Sequence, residues 1–304
     1  MNRRDSSDII LSNIRESGVQ IGRAVEIRLS HLSELAEKLA KSDDYESFRD
    51  AFCSAREEIS DIYREILRED ISSVNSSEVR RIFDGLSVRG FAEVCADVAK
   101  DRKFAFGDID TEPISSARIA CFKTAPSQNA YRAFARELAM ASESVYDDYS
   151  SICEEVFTGG ADFCILPAWG SDDGVLLPFL RLARKYELHA LLACDIQPSD
   201  DDRQTRFCLF GPKIKNRRGS DTIDLFVSTA DENIHRLLSG IDQIGGSCQK
   251  LAALPHAMFP DENWFCSVRI GRENIDALLL FLRLFAQSVS VCGIYKCMTA
   301  PKTR

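Results

Sequence analysis

The feature that most constrains the fold is the alternation of strand-like and helical segments from Arg118 onward. Short apolar runs typical of buried strands are separated by segments of helical period, an order that favours an α/β fold with a parallel-type sheet. Ligands of such sheets bind at loops beyond the carboxyl ends of the strands. The predicted elements are strand Ile119–Phe122, helix Gln128–Met140, a polar segment Ser142–Asp148, helix Ser150–Thr158, strand Phe163–Leu166, helix Val175–Tyr186, strand Leu188–Ala193 and strand Thr205–Phe210.

The carboxyl-terminal part of the chain has the clearest pattern. The order strand, helix, strand, strand, helix, strand predicts a ferredoxin-like βαββαβ unit over residues 220–304. Asp231 and Glu232 in the first helical turn, and Gly245 after the last, are typical of helix ends. The predicted elements are strand Ile223–Ser228, helix Glu232–Ile244, strand Cys248–Leu254, strand Trp264–Ile270, helix Asn274–Gln287 and strand Val289–Cys297.

The predicted amino-terminal domain covers residues 1–99, and its pattern is helical from about Asp8 to Asp97. A long first helix and two shorter ones are predicted, with few apolar residues left over for a compact monomeric core. We therefore expect this domain to bury its apolar stripes against a second copy, as a homodimer. Residues 100–117 lose the periodicity and contain Gly107 and Pro113, a composition typical of a linker. The predicted α/β domain then covers residues 118–215.

Composition and charge disfavour several functional classes. The 304-residue chain has a formal net charge of −9 and no dense basic run, so nucleic acid is not expected as a partner. No apolar run reaches the roughly 18 residues of a membrane span, and no signal-type core follows Met1, so a cytoplasmic location without membrane contact is expected. The eleven scattered cysteines contain no C-x-x-C pair and are expected to be buried thiols in a reducing compartment. Neither a metal site nor a cofactor is expected.

Two short segments carry the functional signal. Residues 159–174 read Gly-Gly-Ala-Asp-Phe-Cys-Ile-Leu-Pro-Ala-Trp-Gly-Ser-Asp-Asp-Gly, and residues 204–210 contain Thr205-Arg206-Phe207. Both segments resemble the prephenate dehydratase family, in which an Ala-Asp pair leads into a buried strand and a polar loop follows. The order of the domains is similar to that of the bifunctional chorismate mutase–prephenate dehydratase family, the P-proteins.

This resemblance implies the identity of each domain. It makes residues 1–99 a helical chorismate-mutase-like bundle, residues 118–215 a prephenate-dehydratase-like α/β domain of periplasmic-binding-protein-like fold, and residues 220–304 a regulatory ACT domain. The implied protein is a multidomain α and α/β enzyme of phenylalanine biosynthesis in the shikimate pathway. It would convert prephenate to phenylpyruvate, chorismate to prephenate, or both. Its partners would be these small dicarboxylate substrates and a second copy of the chain.

The resemblance also implies a dehydratase site. Prephenate loses its ring hydroxyl and ring carboxylate together, so the enzyme needs a proton donor and anchors for two carboxylates. By the resemblance, the catalytic residues are Thr205, Arg206 and Ser171. Thr205 is the proton donor, Arg206 anchors a carboxylate or positions the substrate, and Ser171 is the retained serine of the polar loop. The implied substrate-binding residues are Lys123, Thr124, Ser127, Gly174 and Phe207.

The chain departs from the family at two places in this site. Trp169 and Gly170 replace a glutamate and an asparagine of the family loop, and Lys123–Ser127 replaces a glycine-rich turn. Thr205–Phe207 would also be ordinary residues for the start of a strand. Two alternatives therefore stay open: a catalytically degenerate paralogue that binds a small carboxylate or regulates a partner, and a pathway-specific enzyme that acts on prephenate without aromatisation.

A mutase site would lie in the amino-terminal helices. The mutase reaction needs cations for two carboxylates and a charge-assisted donor at the ether oxygen. Solvated charges on amphipathic helices would produce the same residues, although an unpaired arginine on an apolar stripe is costly and favours a functional role for Arg28. The mutase-like set implied by the resemblance is Arg15, Arg28, Lys41, Arg56, Glu57 and Glu93.

Overall fold

The computed structural model describes ten ranges of the chain. They are 49–50, 88–97, 99–100, 109–110, 112–114, 116–138, 140–197, 203–228, 234–285 and 289–299. The chain divides into two compact units. One comprises residues 1–104, 232–246 and 273–287, and the other comprises residues 105–231, 247–272 and 288–304.

A large mixed α/β architecture is built from twelve described strands. The strands are β1 Ile109–Asp110, β2 Ala117–Phe122, β3 Ala141–Tyr146, β4 Phe163–Gly170, β5 Gly174–Val175, β6 His189–Ile196, β7 Thr205–Gly211, β8 Ile214–Lys215, β9 Thr222–Val227, β10 Gly246–Ala253, β11 Trp264–Ile270 and β12 Val289–Thr299. The main sheet has the order β10-β11-β9-β12-β6-β7-β4-β2-β3, and β5 pairs with β4. The two short strands β1 and β8 pair in parallel apart from this sheet.

Five helices have bounds that lie within the described residues. They are α1 Ala125–Ala135, α2 Tyr149–Phe157, α3 Leu177–Lys185, α4 Ile234–Gln243 and α5 Ile275–Phe285, and residues 88–97 are also helical. The start of α2 is fixed by Asp148, whose carboxylate accepts the backbone N–H groups of Ser150 and Ser151. Gly159, with φ +82°, follows the end of this helix. The described helices include none long and apolar enough to cross a membrane.

The prediction of a parallel-type sheet is correct for part of the sheet and wrong for β7. Strand β2 is parallel to β3 and β4, and β6 is parallel to β12, whereas β7 is antiparallel to both β4 and β6. The physical reason lies in the length of the connection. Only residues 197–204 separate β6 from β7, whereas a parallel return needs a crossover of about a dozen residues or more.

The polar segment Ser142–Asp148, which was not predicted as a strand, contains most of β3. Strand β3 is the last strand in the order of the main sheet and, among the described strands, pairs with β2 alone. Its side chains are therefore mostly exposed, and the strand has no alternating apolar pattern for sequence analysis to detect. Helix α1 also differs from its prediction, since it begins at Ala125 and ends at Ala135, with Pro126 in its first turn.

Strands β9 to β12 have the order β10-β11-β9-β12, the order of a split βαβ arrangement, and helices α4 and α5 occur in the predicted chain order. Strand β12 pairs antiparallel with β9 and parallel with β6, so the strands of both predicted α/β regions form one continuous sheet. The predicted boundaries 118–215 and 220–304, and the linker 100–117, stay predictions. Most of the predicted helical bundle 1–99 lies outside the described residues.

The core of the main sheet consists of apolar clusters on its two faces. On β7, Phe207 and Leu209 belong to one cluster, whereas Cys208 and Phe210 belong to the cluster on the opposite face. This alternation follows from the two-residue period of a strand. Most of the described cysteines are buried, as predicted, with Cys248 exposed and Cys297 partly exposed.

Gly293 allows β12 to approach β6 closely. A Cβ atom at this position would lie 2.6 Å from the Cβ and 2.8 Å from the carbonyl oxygen of Ala190. Because a backbone atom of a central strand cannot rotate away, Gly293→Ala should lower the free energy of unfolding by about 1–3 kcal/mol in urea denaturation. The exposed Ser290 on the same strand provides the matched control, since Ser290→Ala should change it by less than about 0.5 kcal/mol. Equal stabilities for the two variants would contradict the close approach.

Candidate active site

The two sequence motifs meet where strand β4 ends and its neighbour β7 begins, in the interior of the main sheet. Strand β4 carries the first motif and pairs antiparallel with β7, so Gly170 lies opposite Thr205. Beyond this pair, the backbone N–H of Ser171 donates to the carbonyl oxygen of Gln204 at 2.8 Å, and the backbone N–H of Gln204 donates to Ser171 Oγ at 3.2 Å. The structure therefore brings Ser171 next to Thr205, although 33 residues separate Ser171 from Gln204 in the chain.

Gly174 closes the loop that holds Ser171. It lies opposite Gly170 in the β4–β5 pair and has φ +68°, a left-handed conformation that glycine adopts without strain. Within the loop, Ser171 Oγ donates to Asp172 Oδ1 at 2.9 Å. The hydroxyl of Ser171 thus accepts one hydrogen bond and donates another inside the protein, which suits a residue that positions the loop.

The turn Lys123–Ser127 follows β2 and lies at the carboxyl end of that strand, as predicted. Its polar side chains make local contacts. Lys123 Nζ lies 2.7 Å from Asp147 Oδ1, and the fully buried Ser127 accepts the backbone N–H of Phe122 at 3.2 Å. Thr124 occupies the N-cap position of α1 without a side-chain hydrogen bond to the helix. The hydrogen bond from Phe122 connects Ser127, in the first turn of α1, to the end of β2, whereas the pair between Lys123 and Asp147 connects the segments that follow β2 and β3.

Arg206 and Thr205 project to opposite faces of β7, because neighbouring side chains of a strand alternate. Phe207, on the same face as Thr205, is 4% exposed and belongs to the apolar core. Arg206 shares its face with Cys208 and Phe210. A ligand that contacts both Thr205 and Arg206 must therefore lie beyond the end of β7, where the two faces meet.

The guanidinium of Arg206 forms a bidentate ion pair that the sequence did not indicate. Its Nε and Nη2 atoms lie 2.7 and 2.9 Å from the two carboxylate oxygens of Asp195, which is directly opposite on β6. The side chains are only 20% and 22% exposed. This hydrogen bonding raises the pKa of Arg206 far above its ordinary value. The only sequence signal for Asp195 was its place as a carboxylate at the end of a buried apolar strand.

A second cation, Lys250 on β10, approaches the same region. Its Nζ lies 3.6 Å from the centre of the Trp169 ring, and Arg206 Cζ lies 5.9 Å from the centre of that ring. Partial burial, followed by the positive charge of Arg206, lowers the pKa of Lys250 to about 8. Among the described residues Lys250 forms no ion pair. Its charge is therefore available to an anion.

The contact between Lys250 and Trp169 requires the main sheet to curl. Strands β10 and β4 are six steps apart in the sheet order. In a flat sheet with strands about 4.8 Å apart, this separation would be about 29 Å, too far for two side chains to touch. The face that carries Lys250 and Trp169 is therefore concave. We call the polar residues along it the polar row: Lys250, Ser267, Asp224, Tyr295, Asp195, Arg206 and Trp169.

Asp224 lies in the middle of the polar row. It is 8% exposed, lies opposite Ser267 on β11, and accepts the hydroxyl of Tyr295 through Oδ2 at 3.0 Å. Its Oδ1 atom has no hydrogen-bond partner among the described residues. Burial raises the pKa of Asp224 from 3.8 to about 6, although the hydrogen bonds from Ser267 and Tyr295 oppose the increase.

This raised pKa predicts a specific pH dependence of stability. The unfolded chain ionises Asp224 near pH 3.8, whereas the folded protein does so near pH 6, so ionisation is costly to the folded state. The free energy of unfolding should therefore fall by up to about 3 kcal/mol as the pH rises from about 4 to about 6. Urea denaturation across this range should show a smaller fall for Asp224→Asn. Parallel curves for the variant and the parent protein would contradict the prediction.

The mutase-like residues are almost all outside the described part of the chain. Arg15, Arg28, Lys41, Arg56 and Glu57 lie there, so their arrangement stays a prediction. Glu93 lies in the helical segment 88–97 and accepts a hydrogen bond of 3.4 Å from Nε2 of Gln243 on α4. Among the described residues, no group of three or more histidine, cysteine or acidic side chains is arranged to hold a metal ion.

Comparisons with known proteins identify distant structural similarities. No protein-family model matches the chain, and no curated protein matches it. A prephenate dehydratase from Streptococcus mutans is similar over 60% of this chain and 99% of its own, with 16% identity and a TM-score of 0.48. GqqA, described as a novel type of quorum quenching acylases, is similar over 60% of this chain and 95% of its own, with 16% identity and a TM-score of 0.44.

A third solved structure is a prephenate dehydratase from Arthrobacter aurescens in complex with L-Phe. It is similar over 59% of this chain and 90% of its own, with 11% identity and a TM-score of 0.43. The solved structures that are similar to this chain thus include prephenate dehydratases. The identities are 11–16%, and each of the three TM-scores is below 0.5.

Proposed function

We propose that this chain is an enzyme of aromatic amino-acid biosynthesis that binds prephenate and converts it to phenylpyruvate. The observation that carries the proposal is the pairing of Gly170 with Thr205, which brings the two sequence motifs together at the end of β4 and the start of β7. Both motifs resemble segments of the prephenate dehydratase family. Lys250 and Arg206, which both lie over the ring of Trp169, supply positive charge beside this pair of residues.

In the proposed reaction, Thr205 acts at the leaving hydroxyl. Its Oγ1 donates a proton to the ring hydroxyl, which departs as water, while the ring carboxylate departs as CO₂ and its bonding electrons complete the aromatic ring. The hydroxyl of Thr205 is then restored by a proton from solvent. Ser171, whose hydroxyl is engaged with Gln204 and Asp172, would hold the loop and would not contact the substrate.

The two cations would have different roles in binding the dicarboxylate. Lys250 has no carboxylate partner among the described residues, so a substrate carboxylate would supply the counter-charge that its half-buried ammonium lacks. Arg206 is already paired with Asp195, which fixes its orientation and reduces its net charge. It would therefore bind substrate with its remaining N–H groups and act mainly as a positioned donor.

A second candidate function is a carboxylate-binding module without turnover. The bidentate pair between Arg206 and Asp195 favours it, because the residue expected to anchor the substrate already has a protein partner. Trp169, at the position of a family glutamate, favours it as well. The proposal of an enzyme and that of a binding module share one ligand class, so product formation distinguishes them.

The assignments of the other domains are parts of this proposal. The strand order β10-β11-β9-β12 supports an ACT-like regulatory domain over residues 220–304. A chorismate mutase activity of residues 1–99 and a homodimer formed by them are proposed from the sequence alone.

The test is incubation of the purified full chain with prephenate, and separately with chorismate, with products identified by mass and by ultraviolet absorbance. Phenylpyruvate from prephenate supports the dehydratase, and a non-aromatic product supports an enzyme that acts without aromatisation. Saturable prephenate binding by calorimetry without a product supports the binding module. If the chain neither binds nor converts prephenate, both proposals for this site are wrong. Prephenate formed from chorismate tests the mutase independently.

A further inference from the structure

Two cysteines of the βαββαβ region form a close pair that plays no part in the proposed reaction. Cys248 is on β10 and Cys266 is on the neighbouring strand β11, and their sulfur atoms are 3.5 Å apart. Cys248 is exposed, whereas Cys266 is fully buried. Reagents in solution can therefore reach one member of the pair, and its partner is held directly behind it.

The hydrogen bond between the two thiols makes them chemically different. Donation from Cys266 lowers the pKa of Cys248 to about 7, although partial burial opposes the change. The same interaction, together with burial, raises the pKa of Cys266 well above its ordinary value. Near neutral pH a large fraction of Cys248 is therefore the thiolate, which is the nucleophilic form of cysteine. Cys266 remains a thiol.

We propose that Cys248 and Cys266 are an oxidation site at which hydroperoxides produce a reversible cross-strand disulfide. In the first step, the sulfur of Cys248 attacks the O–O bond of the hydroperoxide, which yields a sulfenic acid on Cys248 and releases an alcohol, or water from hydrogen peroxide. In the second step, the sulfur of Cys266 attacks the sulfenic sulfur, the S–H proton of Cys266 combines with the departing hydroxide, and the product leaves as water. The two thiols lose two protons and two electrons, and the O–O bond of the hydroperoxide is reduced.

The geometry allows the second step with a small displacement. A disulfide has a sulfur–sulfur distance of about 2.05 Å, so the two sulfur atoms must approach by roughly 1.5 Å. The two cysteines lie on neighbouring strands, so rotation of their side chains can shorten the distance between the sulfur atoms. Cys248 Sγ also lies 3.3 Å from the backbone carbonyl oxygen of Lys250.

A second pair of cysteines in the same protein serves as an internal control. Cys153 and Cys164 interact through their side chains, but both are fully buried and oxidants do not reach them. Burial raises the pKa of Cys164 well above its ordinary value, so this thiol stays protonated. The proposal therefore expects oxidation at Cys248 and Cys266 and none at this pair.

The experiment treats the folded full chain with stoichiometric hydrogen peroxide, blocks the remaining thiols, and maps peptides without reduction. We expect one peptide linked through Cys248 and Cys266, with a mass loss of about 2 Da, and its disappearance after dithiothreitol. In the variant Cys266→Ser, oxidation of Cys248 should stop at the sulfenic acid, because the second thiol is absent. Labelling with dimedone detects this sulfenic acid. In Cys248→Ser, the linked peptide should be absent while circular dichroism shows the parent fold.

Several outcomes would overturn this proposal. They are a Cys248 that stays fully alkylatable after peroxide, a Cys248 that proceeds to the sulfinic acid in the parent protein without the linked peptide, and oxidation of Cys153 and Cys164 at an equal rate. The assay uses no substrate, so its result does not depend on the proposed reaction at Thr205.

Discussion

Thr205→Ala is expected to lower the rate of phenylpyruvate formation from prephenate by about 10²–10⁴-fold, because a positioned proton donor contributes that much to a rate. The side chain occupies the first position of β7, opposite Gly170, where the loop of the first motif begins. Initial rates at saturating prephenate measure the effect on the chemical step. The substrate dissociation constant should change much less, since binding of the carboxylates is assigned to Lys250 and Arg206.

Thr205→Ser is the matched control for this prediction. It retains a hydroxyl at the same position and should keep the rate within about tenfold of the parent protein. Because Thr205 is only partly buried, Thr205→Ala should change the free energy of unfolding by less than about 1 kcal/mol. If the alanine variant forms phenylpyruvate at the rate of the parent protein, Thr205 is not the proton donor, although the protein would still be a prephenate dehydratase.

Asp195→Asn should lower the free energy of unfolding by about 2–3 kcal/mol. The substitution keeps the size of the side chain but removes the charge that balances Arg206, which is only 20% exposed. Removing one partner of a buried ion pair costs about 3–5 kcal/mol, and the residual exposure of this pair reduces the expected loss. Urea denaturation at pH 7 measures it, and the double variant Asp195→Asn, Arg206→Met should recover part of the loss.

The exposed pair between Lys123 and Asp147 provides the comparison for this effect. Its side chains are 58% and 79% exposed, so Asp147→Asn should change the free energy of unfolding by less than about 0.5 kcal/mol. If Asp195→Asn were as mild as Asp147→Asn, water would be screening Arg206, and the concave face would be more open than its contacts indicate. Arg206 could then bind a substrate carboxylate with its full charge.

Much of the element order of the α/β part could be predicted from the sequence because it depends on local patterns. The apolar run Phe163–Leu166 and the segment Thr205–Phe210 were predicted as strands and are the cores of β4 and β7. The order from strand Ile223–Ser228 to strand Val289–Cys297 was predicted as well, since the two-residue and helical periods are visible within a few residues. Strand β3 was missed because an edge strand needs no apolar face.

The proposed site was only partly predictable, for a reason that concerns distance along the chain. Ser171, Gly174 and Thr205 could be nominated because they belong to local motifs. Asp195 and Lys250 could not, since nothing near them in the sequence indicates which side chain each one meets.

The sequence by itself determined the periods of the elements, their order and the two motifs at the ends of β4 and β7. The tertiary structure decided the antiparallel insertion of β7 between β6 and β4, the curl of the sheet and the partners of its charges. Lys250 reaches Trp169 only because twisted strands accumulate into a concave face, a property of the whole sheet. The sequence shows which side chains can carry a charge. Their burial and their partners depend on packing between segments far apart in the chain, and these determine the pKa values of Arg206 and Asp224.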